Sequence, residues 1–259
     1  MLNKATKEKI NNEWENQKKS PRTIYKWKDL NNKTYQGYIA DLMINEIDII
    51  RLIKPTLRKN IFMRHIETTS QKESNQAEKM FAMALCHDER YDSYVLGKCF
   101  EYELPLCPRK GEHLNGDNKA FGNIDLVCIK EDEVYLIELK KDKSKETLLR
   151  TILEAYTYWK QGGALLRAEL EGVLKIKDLK VRLGILIFKE SEPEKELRCL
   201  SNTPSQKRLL DLISNEVGGV SFFIVNRETM PQMELRNRKI YFSDETWNTK
   251  EIEQRVILC

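Results

Sequence analysis

A chain of 259 residues, 32% of them charged, can bury one large core. Its net charge of +4 is not the strongly basic balance that by itself marks a nucleic-acid binder. The N-terminal MLNKATKEKI lacks an apolar leader and no run approaches a membrane span. The six cysteines, at 86, 99, 107, 128, 199 and 259, form no C-x-x-C pair; this excludes a zinc framework and reads as reduced thiols in a cytoplasmic protein.

Residues 4–19 are polar, with Ile10 and Trp14 four apart, and read as a solvated helix with a narrow apolar stripe. Ser20-Pro21 breaks it. In TIYKWKDL, Tyr25 and Trp27 alternate with Lys26 and Lys28. That pattern suits an edge strand or lid over the core, or a surface that stacks bases and holds phosphates. A stronger helix covers 38–53 and ends at Pro55. Another runs over 74–86, with Ser74 as N-cap and Ala77, Met80, Phe81, Ala84 and Leu85 on its buried face. Residues 94–106 read as a strand that ends at Pro105, at an edge or bend. The segment 108–120 is a polar loop carrying Arg109, Lys110, His113 and Lys119.

Gly122–Lys140, GNIDLVCIKEDEVYLIELK, holds two Ile/Val/Leu-rich runs separated by Lys130-Glu131-Asp132-Glu133. The runs read as paired strands and the tetrad as their turn. With the turn centred between Glu131 and Asp132, numbers of opposed residues sum to 263, and Asp125 faces Glu138. Lys140, two residues on, leaves on the same face. The opposite face carries Ile124, Leu126, Cys128, Tyr135, Ile137 and Leu139. Both faces are otherwise apolar, so the hairpin belongs at the centre of a covered sheet. Paired carboxylates in such a place repel unless a proton or a cation lies between them. Mg²⁺, which takes one or two carboxylates and keeps several waters, meets that need. A structural salt-bridged trio is the other reading of the same residues.

Gly122-x-Ile124-Asp125 followed by Glu138-x-Lys140 resembles the signature of the PD-(D/E)xK nuclease superfamily, with Ile124 where the name-giving pattern has proline. The resemblance covers residues 74–190. It implies a restriction-endonuclease-like α/β fold and metal-dependent cleavage of phosphodiester bonds in nucleic acid, with DNA as the expected partner. It implies Asp125 and Glu138 as ligands of Mg²⁺, for which Mn²⁺ would substitute, with the Leu139 backbone carbonyl as a further ligand. Lys140 would position the attacking water. Glu78, on the helix before the first strand, is the candidate for the acidic residue that many members point into the site. Glu103 is a weaker acidic candidate.

After the motif, Lys141, Lys143, Lys145 and Arg150 are placed to hold phosphates. A helix follows over about 145–161, stopped by Gly162-Gly163, with Glu154, Tyr158 and Gln161 on its other face. Residues 181–188 form a fourth strand, 190–196 an exposed acidic turn, 204–215 a helix, 220–225 a fifth strand and 238–242 a last one. The reading is an α/β chain with a central mixed sheet of four or more strands flanked by helices. It divides into a helical N-terminal extension over 1–73, a nuclease-like core over 74–190 and a C-terminal α/β extension over 191–259. The N-terminal extension is a candidate surface for a homodimer or another protein. The competing functions are a nucleic-acid-binding or protein-interaction module without turnover, and a metal-dependent hydrolase of small phosphate esters.

Overall fold

The computed structural model describes residues 2–55, 77–87, 95–106, 122–230, 232–236, 239–243 and 252–257. Ser74, Arg109, Lys110, His113 and Lys119 lie outside them. The chain is α/β, built on a six-stranded mixed sheet of order β1-β2-β3-β4-β5-β8. Strands β1 (Lys98–Pro105), β2 (Asn123–Lys130) and β3 (Glu133–Leu139) form an antiparallel meander. Strands β4 (Lys180–Phe188) and β5 (Val220–Val225) continue it in parallel, and β8 (Glu253–Ile257) closes the far edge antiparallel to β5. β1 is the other edge, which accommodates Pro105 as its last residue. β6 (Met233–Arg236) and β7 (Lys239–Phe242) make a separate two-stranded ribbon.

Both faces of the sheet are covered. Helix α4 (Ala77–His87) and the β6–β7 ribbon pack on one face around Phe81, Leu126, Ile137, Phe188, Phe223 and Phe242. The other face carries α5 (Leu148–Leu174), α7 (Pro204–Val217) and the N-terminal segment. That segment comprises α1 (Lys4–Gln17), two 3-10 helices (Pro21–Lys26 and Lys28–Asn31), α2 (Gln36–Asn45) and α3 (Ile47–Arg51). Its Ile10, Trp14, Tyr25, Trp27, Leu30, Ile39 and Met43 belong to the same core as Leu136, Ile152, Leu183 and Phe222. Strands β2–β4 are therefore apolar on both sides, as strands buried on both faces must be.

Four expectations are corrected. TIYKWKDL forms 3-10 helices, not an edge strand; both its rings are buried at 3% exposure and cover the core, as the lid reading expects. Trp14 stacks on Trp27, and the Trp27 indole N–H donates to Glu13, so these rings are core and present no face to a base. α5 runs through Gly162-Gly163 to Leu174 instead of stopping there. A Cβ at Gly162 would lie 3.1 Å from Leu106 and 3.3 Å from Ile124. The missing side chain thus lets the helix approach the sheet closely, which outweighs the helix penalty of roughly 1 kcal/mol for a glycine. The acidic stretch after β4 is a helix, α6 (Glu192–Arg198), with Glu194 buried and paired to Arg198 at 2.9 Å. Finally, Cys86 at the end of α4 and Cys99 in β1 form a disulfide, with Cα atoms 4.8 Å apart because α4 packs on β1. The six thiols are therefore not all free; Cys128 is free and buried, and Cys199 is free and exposed.

Candidate functional site

The hairpin adopts the expected register. Pairs run from Leu126 opposite Ile137 to Lys130 opposite Glu133, around a two-residue turn in which Glu131 takes left-handed backbone (φ 55°). Asp125 accordingly falls across from Glu138, and its Oδ2 accepts the Leu139 backbone N–H at 2.7 Å. Ile137 and Leu139 point into the α4-side core, so alternation sends Glu138 and Lys140 toward α5. Ile124 breaks the alternation: expected opposite Asp125's face, it packs in the α5-side core, filling the room left at Gly162.

Lys140 is only 6% exposed and sits among carboxylates. Its Nζ donates to Glu138 Oε1 at 2.8 Å and to Glu154 Oε2 of α5 at 2.7 Å, and pairs with Glu146 at 3.0 Å. The other oxygen of Glu154 accepts the Tyr158 hydroxyl at 3.1 Å. Gly122, the first residue of the motif, lies against that hydroxyl; a Cβ there would come within 2.2 Å of it. The glycine is required by this close approach and not by a turn.

The electrostatics follow from burial. Burial, opposed by the Leu139 N–H and by Lys140, pushes the Asp125 carboxyl up to about 8. Burial, together with the neighbouring Asp125 and Glu154, holds Glu138 well above the usual carboxylate range. Burial would lower Lys140, but Glu138, Glu154 and Glu146 together raise it, so it is a fixed ammonium at neutral pH.

No family model, curated protein or solved structure matches this chain. The site is thus judged on its own donors. Among the described residues no three His, Cys, Asp or Glu side chains are grouped to hold a metal. A two-carboxylate set nevertheless suits Mg²⁺, which completes its shell with water. Glu138 Oε2 is buried without a hydrogen-bond partner, although such an atom normally has one. Two opposed carboxyls of raised pKa and an orphaned carboxylate oxygen fit a hard cation.

The remaining predicted residues are placed less centrally. Glu78 Oε1 accepts the Lys141 backbone N–H at 2.9 Å, fixing the chain just after Lys140. Glu103, in left-handed backbone (φ 51°), bonds Asn123 at 3.2 Å and pairs with Lys79 at 3.6 Å. Lys141, Lys143 and Lys145 are exposed. With Asn31, Glu78, Ser144 and Glu146 they line a cavity of about 570 Å³ beside the charged cluster. Arg150 is turned inward, its guanidinium 3.5 Å from Glu146. Leu139 contributes its N–H to Asp125. One participant and one contact escaped the sequence reading: Glu146, which sat unremarked in the basic turn, and the approach of the Tyr25 hydroxyl to within 3.3 Å of that of Tyr158. Helical spacing did put Glu154 and Tyr158 on the correct face of α5; the aromatic–lysine alternation drew attention to Tyr25 as a base-stacking ring, and nothing in the sequence pointed to its pairing with Tyr158.

Proposed function

We propose that this chain is a Mg²⁺-dependent nuclease of the PD-(D/E)xK type, hydrolysing phosphodiester bonds in nucleic acid, DNA before RNA. The observation that supports this most is the orphaned, buried Glu138 Oε2 across the hairpin from Asp125, with the Lys140 ammonium bonded to the same carboxylate. Asp125 and Glu138 would hold the ion, and Mn²⁺ would substitute. When bound, the ion supplies a hard positive charge that polarises a phosphodiester and acidifies a water.

Lys140, held as an ammonium by the carboxylates around it, donates hydrogen bonds, orienting the water or meeting the negative charge that develops on the phosphate. Glu154 and Glu146 keep that ammonium in place. The exposed lysines 141, 143 and 145 would take flanking phosphates in the adjoining cavity.

The test is incubation of the pure protein with Mg²⁺ or Mn²⁺ and single-stranded, double-stranded and branched DNA, and the RNA equivalents. Metal-dependent cleavage supports the reading. Salt-sensitive binding without cleavage identifies a binding module instead, and hydrolysis of small phosphate esters alone identifies the other hydrolase class.

A further inference from the structure

The N-terminal segment reaches the charged cluster. Tyr25 lies in the first 3-10 helix, 3% exposed, with its ring edge-on to that of Tyr158 at 5.6 Å between centroids. The two hydroxyl oxygens are 3.3 Å apart, and the Tyr158 oxygen is 3.1 Å from Glu154 Oε1. Tyr158 has one hydroxyl proton, and a carboxylate is a stronger acceptor than a phenol. Tyr158 therefore donates to Glu154, and Tyr25 donates to Tyr158. The chain of bonds continues from Glu154 Oε2 to Lys140 at 2.7 Å and from Lys140 to Glu138 at 2.8 Å.

Tyr25 is itself held. Burial pushes its hydroxyl up to about 12, so it stays a neutral donor across the working range of pH. The second 3-10 helix is anchored to the start of α5, where the Thr147 hydroxyl donates to the Leu30 carbonyl at 2.8 Å and the Thr147 N–H donates to Asn31 at 3.3 Å.

We infer that Tyr25 is a positioning residue for Lys140: its hydroxyl orients Tyr158, which fixes the Glu154 carboxylate on which the Lys140 ammonium rests. The inference builds on the nuclease reading, because it assigns Lys140 a part in turnover. It makes the N-terminal segment a component of the site and not an appendage. Tyr25→Phe keeps the ring and its packing and removes only the donor.

Two measurements on the full chain test it. The first is metal-free: a double-mutant cycle of Tyr25→Phe and Lys140→Met followed by urea unfolding. Loss of one hydrogen bond should change the unfolding equilibrium constant by roughly two- to tenfold in the parent. Coupling through the shared network should make that change at least about twofold smaller when residue 140 is methionine. The second is cleavage of a labelled oligonucleotide with Mg²⁺. Tyr25→Phe should lower kcat by about two- to tenfold with KM unchanged, and Tyr158→Phe should leave no further loss for Tyr25→Phe to cause. An additive cycle, or an unchanged kcat in folded Tyr25→Phe protein, overturns the assignment of Tyr25. If the parent cleaves nothing while the cycle stays coupled, the nuclease reading has failed, and the positioning role falls with it.

Discussion

Replacing Lys140 with methionine keeps most of the length of the side chain and removes its charge. What remains is a set of carboxylates without their cation. Glu138 and Glu154 are 5% and 9% exposed, and each loses a bond of 2.8 or 2.7 Å. Breaking a buried ion pair by deleting one partner costs roughly 3–5 kcal/mol, because the other charge is stranded. Glu146, with nearly a third of its side chain accessible, adds little. For a domain of this size the expected fall in Tm is on the order of 10 °C. Urea unfolding in EDTA at pH 7.5 measures the free-energy loss, and a thermal melt the fall in Tm. Adding Glu154→Gln should recover part of the loss, since it removes one stranded charge, and the penalty should shrink at lower pH as Glu138, held above the usual carboxylate range by burial, takes up a proton. A loss under about 1 kcal/mol would show that water already reaches the cluster, and would refute the reasoning from burial. The same figure bears on enzymology: a Lys140 variant must be shown folded before lost cleavage is assigned to chemistry.

The raised carboxyls make stability depend on pH. The folded protein keeps a proton on Asp125 that the unfolded chain releases near pH 4, so metal-free stability should fall as pH rises toward about 8. Between about pH 5.5 and 8 the Asp125 contribution alone amounts to roughly 3 kcal/mol. Melting curves in EDTA that stay flat or rise across this window would contradict it; Mg²⁺ at pH 8 should restore the loss with release of protons. Gly122→Ala should displace the Tyr158 hydroxyl and lower cleavage at least tenfold, about 1.4 kcal/mol of barrier, with nucleic-acid affinity retained; unchanged turnover would show that Tyr158 has no part in the site. Peptide mapping without reductant should recover Cys86 joined to Cys99, and reduction should lower stability by roughly 3 kcal/mol for a loop of this length; recovery of both as alkylated thiols would remove the cross-link.

The hairpin register was legible because a two-residue turn and a period of two leave one alignment that buries both apolar faces. Asp125, Glu138 and Lys140 followed from it. The partners of Lys140 were only half legible: Glu154 lay on a helix whose phase is readable, whereas Glu146 sits in an irregular turn with no phase to read. The glycine pair in α5 misled because a helix stop and a close helix–sheet contact call for the same residue. Tyr25 and Trp27 alternate with lysines as in a strand, but Trp27 is the extended residue between two 3-10 helices, and that break turns both rings inward and the ammonium groups outward. The Cys86–Cys99 bond and the Tyr25–Tyr158 contact depend on which elements pack together, and spacing along the chain carries no record of that.

Asp125→Asn tests the central claim most directly. The substitution keeps the shape and an acceptor for the Leu139 N–H but removes the charge a hard cation needs. The measurement is a cleavage time course with Mg²⁺, run beside a melting curve and a metal-binding isotherm for parent and variant. The account predicts a folded variant that still binds nucleic acid, binds Mg²⁺ poorly and cleaves about a hundredfold more slowly or worse. Full cleavage by folded Asp125→Asn protein would contradict it, removing Asp125 from the mechanism and the nuclease reading's main support.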